Sequence, residues 1–402
     1  MARARSEEEL AVNGGKPVRP TLLPYGHQII DNDDIQAVVR VLQSDWITTG
    51  PKVAEFEETF AVYVGARHAV SFSSGTAALH AAAYAAGLKP GDEAITTPMT
   101  FCATSNSILY QRATPVFADV SSDTLNINPD EIEKRITDKT KAIIPVDFAG
   151  HPADLLAINE IASDNGLTVI EDACHALGAK YNEKKVGSIS DLTVFSFHPV
   201  KHITTGEGGM VVTESLEMAN RMRSFRNHGI LSDFRQRALQ GSWYYEMVDL
   251  GYNYRLTDIQ CSLGLSQLGK LDKWLSRRRA IAAIYDSYFK DSAFVKPLGV
   301  RSDVSHAYHL YVVRINLDRL GKGRDAIFAA LRAEGIGVNV HYIPVHLHPF
   351  YRMNLGTGPG MCPVAETAYG QILSLPMFSG MSDSDAHDVI DAVQKVTEVY
   401  GL

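Results

Sequence analysis

Short apolar or β-branched runs punctuate the first half of the chain, at 68–73, 93–97, 115–120, 142–147, 167–171, 192–197 and 209–213. Stretches with helical spacing separate several of them, at 76–87, 103–111, 129–136 and 154–165. Two further helices are predicted ahead of the runs, one over 31–45, where acidic residues precede an amphipathic pattern, and one over 52–64. Strands alternating with helices predict an α/β domain built on one large, mostly parallel sheet of seven strands. Ligands of such sheets bind beyond the carboxyl ends of the strands, so polar residues at those ends are the first candidates for chemistry.

Beyond residue 214 the pattern changes. Residues 257–291 read as a long, broken helical region, 306–317 (HAYHLYVVRINL) as a strand, 323–334 as a helix and 385–400 as a terminal helix. These elements predict a smaller C-terminal α+β domain. The expected division is a flexible leader over 1–24, a large domain over 25–270 and a small domain over 271–402. The leader is polar and lacks the apolar core of a secretory signal. No run approaches the roughly 20 apolar residues of a membrane helix.

Composition changes this picture little. The 402 residues are 45% hydrophobic and 21% charged, ordinary for a globular protein. A net charge of −8 argues against nucleic acid as a partner while leaving room for one anionic ligand held by a local cluster. The four cysteines (Cys102, Cys174, Cys261, Cys362) are scattered, with no CxxC pair. Neither a zinc site nor a disulfide framework is expected, and a reducing cytoplasm fits best.

Three features at strand ends carry chemistry. Ser73-Ser74-Gly75-Thr76 follows the first strand and opens a helix. Backbone N–H groups at a helix N-terminus suit a phosphate, although an ordinary N-cap would look the same. Glu171-Asp172 ends the fifth strand, where a carboxylate can pair with a pyridinium nitrogen or serve as a structural ion pair. Ser196-Phe197-His198-Pro199-Val200-Lys201 follows the sixth strand, with Gly206-Glu207-Gly208-Gly209 just after. A lysine there can form a Schiff base, although most lysines are solvated surface residues. Together the three suit pyridoxal 5′-phosphate (PLP), which needs anchors for a phosphate, a ring nitrogen and an aldehyde.

SSGTAALHAA, TTPMTFCATSN, VIEDACHALGA, SFHPVKHITTGEGG, RNHGI and GYNYRLTDIQCSLGLSQL stand in an order and spacing that resemble the DegT/DnrJ/EryC1/StrS family of nucleotide-sugar aminotransferases. The likeness runs from about residue 25 to the C-terminal helix. It implies the PLP-dependent aspartate-aminotransferase (type I) fold and a homodimer with shared active sites. It further implies that Lys201 forms the Schiff base, that Asp172 binds the pyridine nitrogen, and that Gly75, Thr76 and Ser196 bind the phosphate. Phe101 would stack on the ring, His175 would sit near its oxygen, and Asn253 would reach the neighbouring subunit's phosphate. Arg255 would lie near substrate. For Phe101 the alternative is a core aromatic, and for His175 a satisfied buried histidine.

Tyr25-Gly26, Ile47-Thr48-Thr49-Gly50 and Asn339-Val340-His341-Tyr342 resemble segments that contact the sugar nucleotide in the branch aminating UDP-4-keto-6-deoxy-N-acetyl-hexosamines, the PseC type of pseudaminic acid biosynthesis. That branch implies amination at C4 with glutamate as donor and Lys201 as general base and acid. Packing of a small-domain strand is the plainer reading of His341 and Tyr342. Two departures stand out, an extra stretch over 232–246 and His202 beside the lysine. Rival readings are a 3-keto sugar aminotransferase, a 4-aminotransferase for a dTDP- or GDP-sugar, a dehydratase on the same fold, and a non-catalytic sugar-nucleotide sensor. The dehydratase relatives carry histidine at the lysine position, which here is Lys201.

Overall fold

The computed structural model describes residues 6–231, 237 and 241–402, so most of the 232–246 stretch lies outside the described residues. The first half contains β1 (His68–Phe72), β2 (Glu93–Thr96), β3 (Thr114–Phe117), β4 (Thr140–Ile144), β5 (Thr168–Asp172), β6 (Lys180–Tyr181), β7 (Lys184–Lys185), β8 (Leu192–Ser196) and β9 (Gly209–Thr213). One seven-stranded sheet has the order β1-β9-β8-β5-β4-β2-β3. Every pairing in it is parallel except those of β9, which runs antiparallel to both β1 and β8. Its strands are the seven apolar runs of the sequence. Helices cover the sheet, so strands such as Gly209–Thr213 are buried along their whole length.

The helix Gly75–Ala85 packs against β8 and β9 and is buried nearly all round. Its run of alanines permits that close approach without a conspicuous apolar stripe. The helix Leu216–Phe225 is not evident in the sequence. Glu217, Arg221 and Arg223 interrupt the apolar pattern, yet Ala219, Met222 and Phe225 bury one face and Ser215 caps the start by accepting from the Met218 N–H at 3.2 Å.

The second half adds β10 (Val295–Pro297), β11 (Val304–Ser305), β12 (Tyr311–Ile315) and β13 (Ile372–Leu375). β10, β12 and β13 form an antiparallel sheet. β11 joins the hairpin β6–β7. The broken helical region consists of Asp258–Leu268 and Leu271–Phe289. The second of these helices belongs to both cores. Leu271, Trp274 and Leu275 pack with the large sheet's residues, whereas Ile281, Tyr285 and Phe289 pack with β12 and the terminal helix Asp383–Tyr400.

Two expectations need correction. The strand expected over 306–317 begins only at Tyr311. Tyr308 takes a positive φ of 49°, and the buried Arg278 guanidinium donates to the carbonyls of Tyr308 (2.9 Å) and Met377 (3.0 Å). Residues 306–310 are therefore a pinned irregular segment. The expected flexible leader is also docked over much of its length. Leu10 is fully buried in the small-domain core. Glu334 accepts from the Ala11 N–H at 2.8 Å and the Val18 N–H at 3.0 Å, and pairs with Lys395 at 2.8 Å. A buried carboxylate needs such partners, and the leader supplies two of them. No helix among the described residues is long and apolar enough to cross a membrane.

Candidate active site

The carboxyl ends of β5 and β8, the N-terminus of the helix after β1, and the small-domain segment 339–342 enclose a cavity of about 550 Å³. Alternation along β5 sends Glu171 and Asp172 to opposite faces. Glu171 is fully buried beneath the sheet, accepting from the Thr193 hydroxyl at 2.9 Å, and burial raises its pKa. Asp172 lines the cavity. One of its oxygens accepts from the Thr104 hydroxyl at 2.7 Å, the other from the Cys174 N–H at 3.2 Å.

The helix Gly75–Ala85 presents its first turn to the same cavity, where Ser74 caps it by accepting from the Ala77 N–H at 3.1 Å. A Cβ on Gly75 would meet the Ser196 Cβ at 2.9 Å, so only glycine lets the cradle close on the Ser196 hydroxyl. Gly209 is constrained likewise, since a Cβ there would lie 2.5 Å from the Ser74 carbonyl oxygen. Lys201 enters from the turn between β8 and β9, with its N–H donating to the His198 carbonyl at 2.9 Å.

Lys201, Asp172, His175, Gly75, Thr76, Phe101, Ser196, Tyr25, His341 and Tyr342 all line this cavity. Phe101 is 59% exposed, so it is no core aromatic. Thr48, Thr49, Gly50 and Arg255 line a different cavity of about 810 Å³, together with Arg223, Arg226 and Asn227. Arg255 donates to the Asn227 side chain at 2.8 Å. Ile47 and Asn253 are exposed and line neither cavity. Within one chain, then, the expected site residues divide between two cavities, with Ile47 and Asn253 outside both.

The profile of the DegT/DnrJ/EryC1/StrS aminotransferase family matches residues 28–394. The chain belongs to that family.

Among relatives of this aminotransferase, the spore coat polysaccharide biosynthesis protein SpsC of Bacillus subtilis is 43% identical over 382 residues, covering 94% of this chain and 98% of that one. Helicobacter pylori PseC, an aminotransferase of pseudoaminic acid biosynthesis, superposes with a TM-score of 0.87 at 34% identity, covering 94% of this chain and 99% of that one. A putative sugar aminotransferase of Streptococcus pneumoniae, Spr1654 in its PLP form, gives 0.88 at 34% identity with the same coverage. The chain is a PLP-dependent aminotransferase of type I fold.

The cavity suits that cofactor on its own chemistry. The glycine cradle offers N–H groups and a hydroxyl for a phosphate, and the buried carboxylate of Asp172 and Lys201 line the same cavity. Burial lowers the Lys201 pKa, against the carboxylate of Asp172, which raises it. A lowered value is what a lysine needs to act as a nucleophile near neutral pH.

Several participants were not foreseen from the sequence. Thr104, which holds Asp172, stands four residues after Thr100 at a helix start, and the two hydroxyls lie 2.8 Å apart. His309 packs its ring 4.3 Å from that of His175. It went unnoticed because its segment reads as strand interior. Tyr342, expected at the substrate, lines the cavity and also meets His175, with its hydroxyl 3.1 Å from Nε2. Burial raises the Tyr342 pKa and lowers that of His175 well below its ordinary value, so both are neutral.

Proposed function

We infer that this aminotransferase moves an amino group from glutamate to C4 of a nucleotide-linked 4-keto-6-deoxy sugar, a UDP-linked N-acetyl-hexosamine derivative. The observation that carries the reading is the convergence of Lys201, Asp172 and the Gly75–Thr76–Ser196 cradle on one cavity. Bound there, PLP supplies an electron sink for the carbanion at the reacting carbon. Lys201 would hold its aldehyde carbon and, once displaced, carry the proton as general base and acid. Asp172 would keep the ring nitrogen protonated. Gly75, Thr76 and Ser196 would hold the phosphate, Phe101 would cover the ring, and His175 would lie at the ring oxygen.

A homodimer with shared sites fits the division between the two cavities. Asn253 is exposed and lies away from its own chain's cofactor cavity, available to a partner's phosphate. Arg255, with Thr48, Thr49 and Gly50, would then meet the sugar nucleotide bound mainly by the other subunit, while Ile47, Tyr25, His341 and Tyr342 complete the sugar contacts. A diphosphate carrying about two negative charges needs such a cation in an acidic protein. The choice of UDP and of C4 rests on the likeness of the Lys201 segment, of residues 47–50 and of 341–342 to the PseC branch. A cytoplasmic location suits both the substrates and the four unpaired cysteines.

The test is a panel of 4-keto and 3-keto sugar nucleotides (UDP-, dTDP- and GDP-linked) with glutamate, read by product mass and NMR. Amination at C4 of the UDP-linked N-acetyl sugar is expected. A product aminated at C3, or turnover confined to dTDP- or GDP-sugars, overturns the substrate assignment.

A further inference from the structure

His202 follows the reacting lysine directly, yet the reaction as described gives it no task. Its side chain is buried at 4% exposure and does not line the cofactor cavity; it borders instead a hollow of about 10 Å³ that Lys201 also borders, with room for no more than about one water. There it makes one hydrogen bond, with Nε2 lying 3.1 Å from the Ala307 carbonyl oxygen. A carbonyl only accepts, so Nε2 carries the hydrogen and Nδ1 is the bare nitrogen.

That bond spans two separate parts of the fold. On one side is the turn from Ser196 to Gly209. Its later half is fastened by the Thr204 hydroxyl and the Thr205 N–H, both donating to the Phe197 carbonyl, and by Gln260, which donates to the Glu207 carbonyl at 2.7 Å. The half holding Lys201 has its own short loop bond to His198 and the side chain of His202. On the other side is the pinned segment 306–310. The Ala307 N–H donates to Gly150 at 2.9 Å, the Leu310 N–H to Ala149 at 3.1 Å, and Arg278 and Arg279 donate to its carbonyls. This segment delivers His309 to the cofactor cavity, with its ring 5.7 Å from that of His202.

We propose that His202 is a positioning residue for Lys201, whose bond to the Ala307 carbonyl clamps the lysine-bearing turn onto the segment 306–310 and keeps the wall behind the lysine closed to bulk water. The surroundings make closure matter. His202, His309 and His175 are all neutral, held so by burial first and by the neighbouring cations second. His341, held at about 4 by burial, is also neutral. Tyr342 is neutral as well, and so is the buried Cys174 thiol, which leaves the Asp172 carboxylate as the group that favours the charged amine. Arg278 disfavours charge on His202. The dominant influence on Lys201 is therefore exclusion of water, and a loosened wall would undo it.

The proposal rests on Lys201 as the reacting amine, but its test needs no turnover. The full-length chain, stripped of cofactor, is labelled with acetic anhydride from pH 6 to 11, and the Lys201 peptide is read by mass spectrometry. His202→Met keeps the bulk and removes the donor. His202→Gln keeps a donor at similar reach. In the Met variant the labelling midpoint is expected to rise by a pH unit or more, so reactivity below both midpoints falls about ten-fold. The Gln variant is expected to keep the wild-type midpoint, and both are expected to fold. An unchanged Met variant, an equal shift in both variants, or a Met variant that does not fold overturns the proposal. The profile belongs to Lys201 whichever lysine holds PLP, so failure of the functional reading would be seen separately, as cofactor bound elsewhere.

Discussion

Replacing Asp172 by asparagine removes one charge and almost nothing else. The side chain keeps its size in a site where one oxygen accepts from Thr104 at 2.7 Å and the other from the Cys174 N–H at 3.2 Å. An amide can keep both contacts, its oxygen accepting from the Cys174 N–H and its NH₂ group donating to the Thr104 hydroxyl, whose own hydrogen can turn to Thr100 at 2.8 Å, so the fold loses less than the roughly 1 kcal/mol of one hydrogen bond. The catalytic loss is larger. On the proposed role of Asp172, the ring nitrogen would no longer be held protonated, and one such preorganised electrostatic group is worth about 3–4 kcal/mol, or roughly 10²–10³ in kcat. The cradle and Lys201 remain, so PLP still binds. The sign at Lys201 separates this from a trivial effect. Asp172 raises the Lys201 pKa against burial. In the Asn variant that pKa falls further, the amine is neutral over a wider range, and lysine protonation cannot explain a loss. The expected result is a kcat reduced by about 10²–10³ at every pH from 6 to 9, with cofactor retained by absorbance. A kcat within two-fold of wild type, or a loss confined to low pH, would refute the reasoning.

Shared sites are tested by mixing two inactive variants, Asn253→Ala and Lys201→Ala. Hybrid dimers regain part of the activity because one of their sites has both groups intact, whereas hybrids shown to form without any recovery speak against sharing. Glu334→Leu leaves the buried Lys395 without its carboxylate and two leader N–H groups without an acceptor. Breaking a buried pair from one side costs about 3–5 kcal/mol. Urea denaturation read by intrinsic fluorescence is therefore expected to show a marked loss of stability, and a change under 1 kcal/mol would show that the leader's docking contributes little.

The large sheet was legible in the sequence because its strands are short, β-branched runs buried on both faces and bounded by helices of clear periodicity. The cradle, Asp172 and Lys201 were legible for the same reason, since each sits where a strand ends. What escaped notice depends on tertiary partners. His309 and His306 lie in a segment whose apolar and aromatic content reads as strand, and partners distant in sequence, Arg278, Arg279, Ala149 and Gly150, turn it into a pinned loop. Leu10 is one of a few scattered apolar residues in a polar leader, and its burial follows from Glu334 and Lys395 capturing the backbone around it. Tyr342 is expected at the substrate on pattern alone, and its contact with His175 depends on a residue 167 positions away.

The most direct measurement concerns where the cofactor is attached. Wild-type protein loaded with PLP is reduced with sodium borohydride, digested and sequenced by mass spectrometry. The expected result is loss of the long-wavelength absorbance and a single phosphopyridoxyl adduct on Lys201, absent from the Lys201→Ala variant. An adduct on another lysine, or a Lys201→Ala variant that still forms the adduct and turns over at the wild-type rate, would contradict the account.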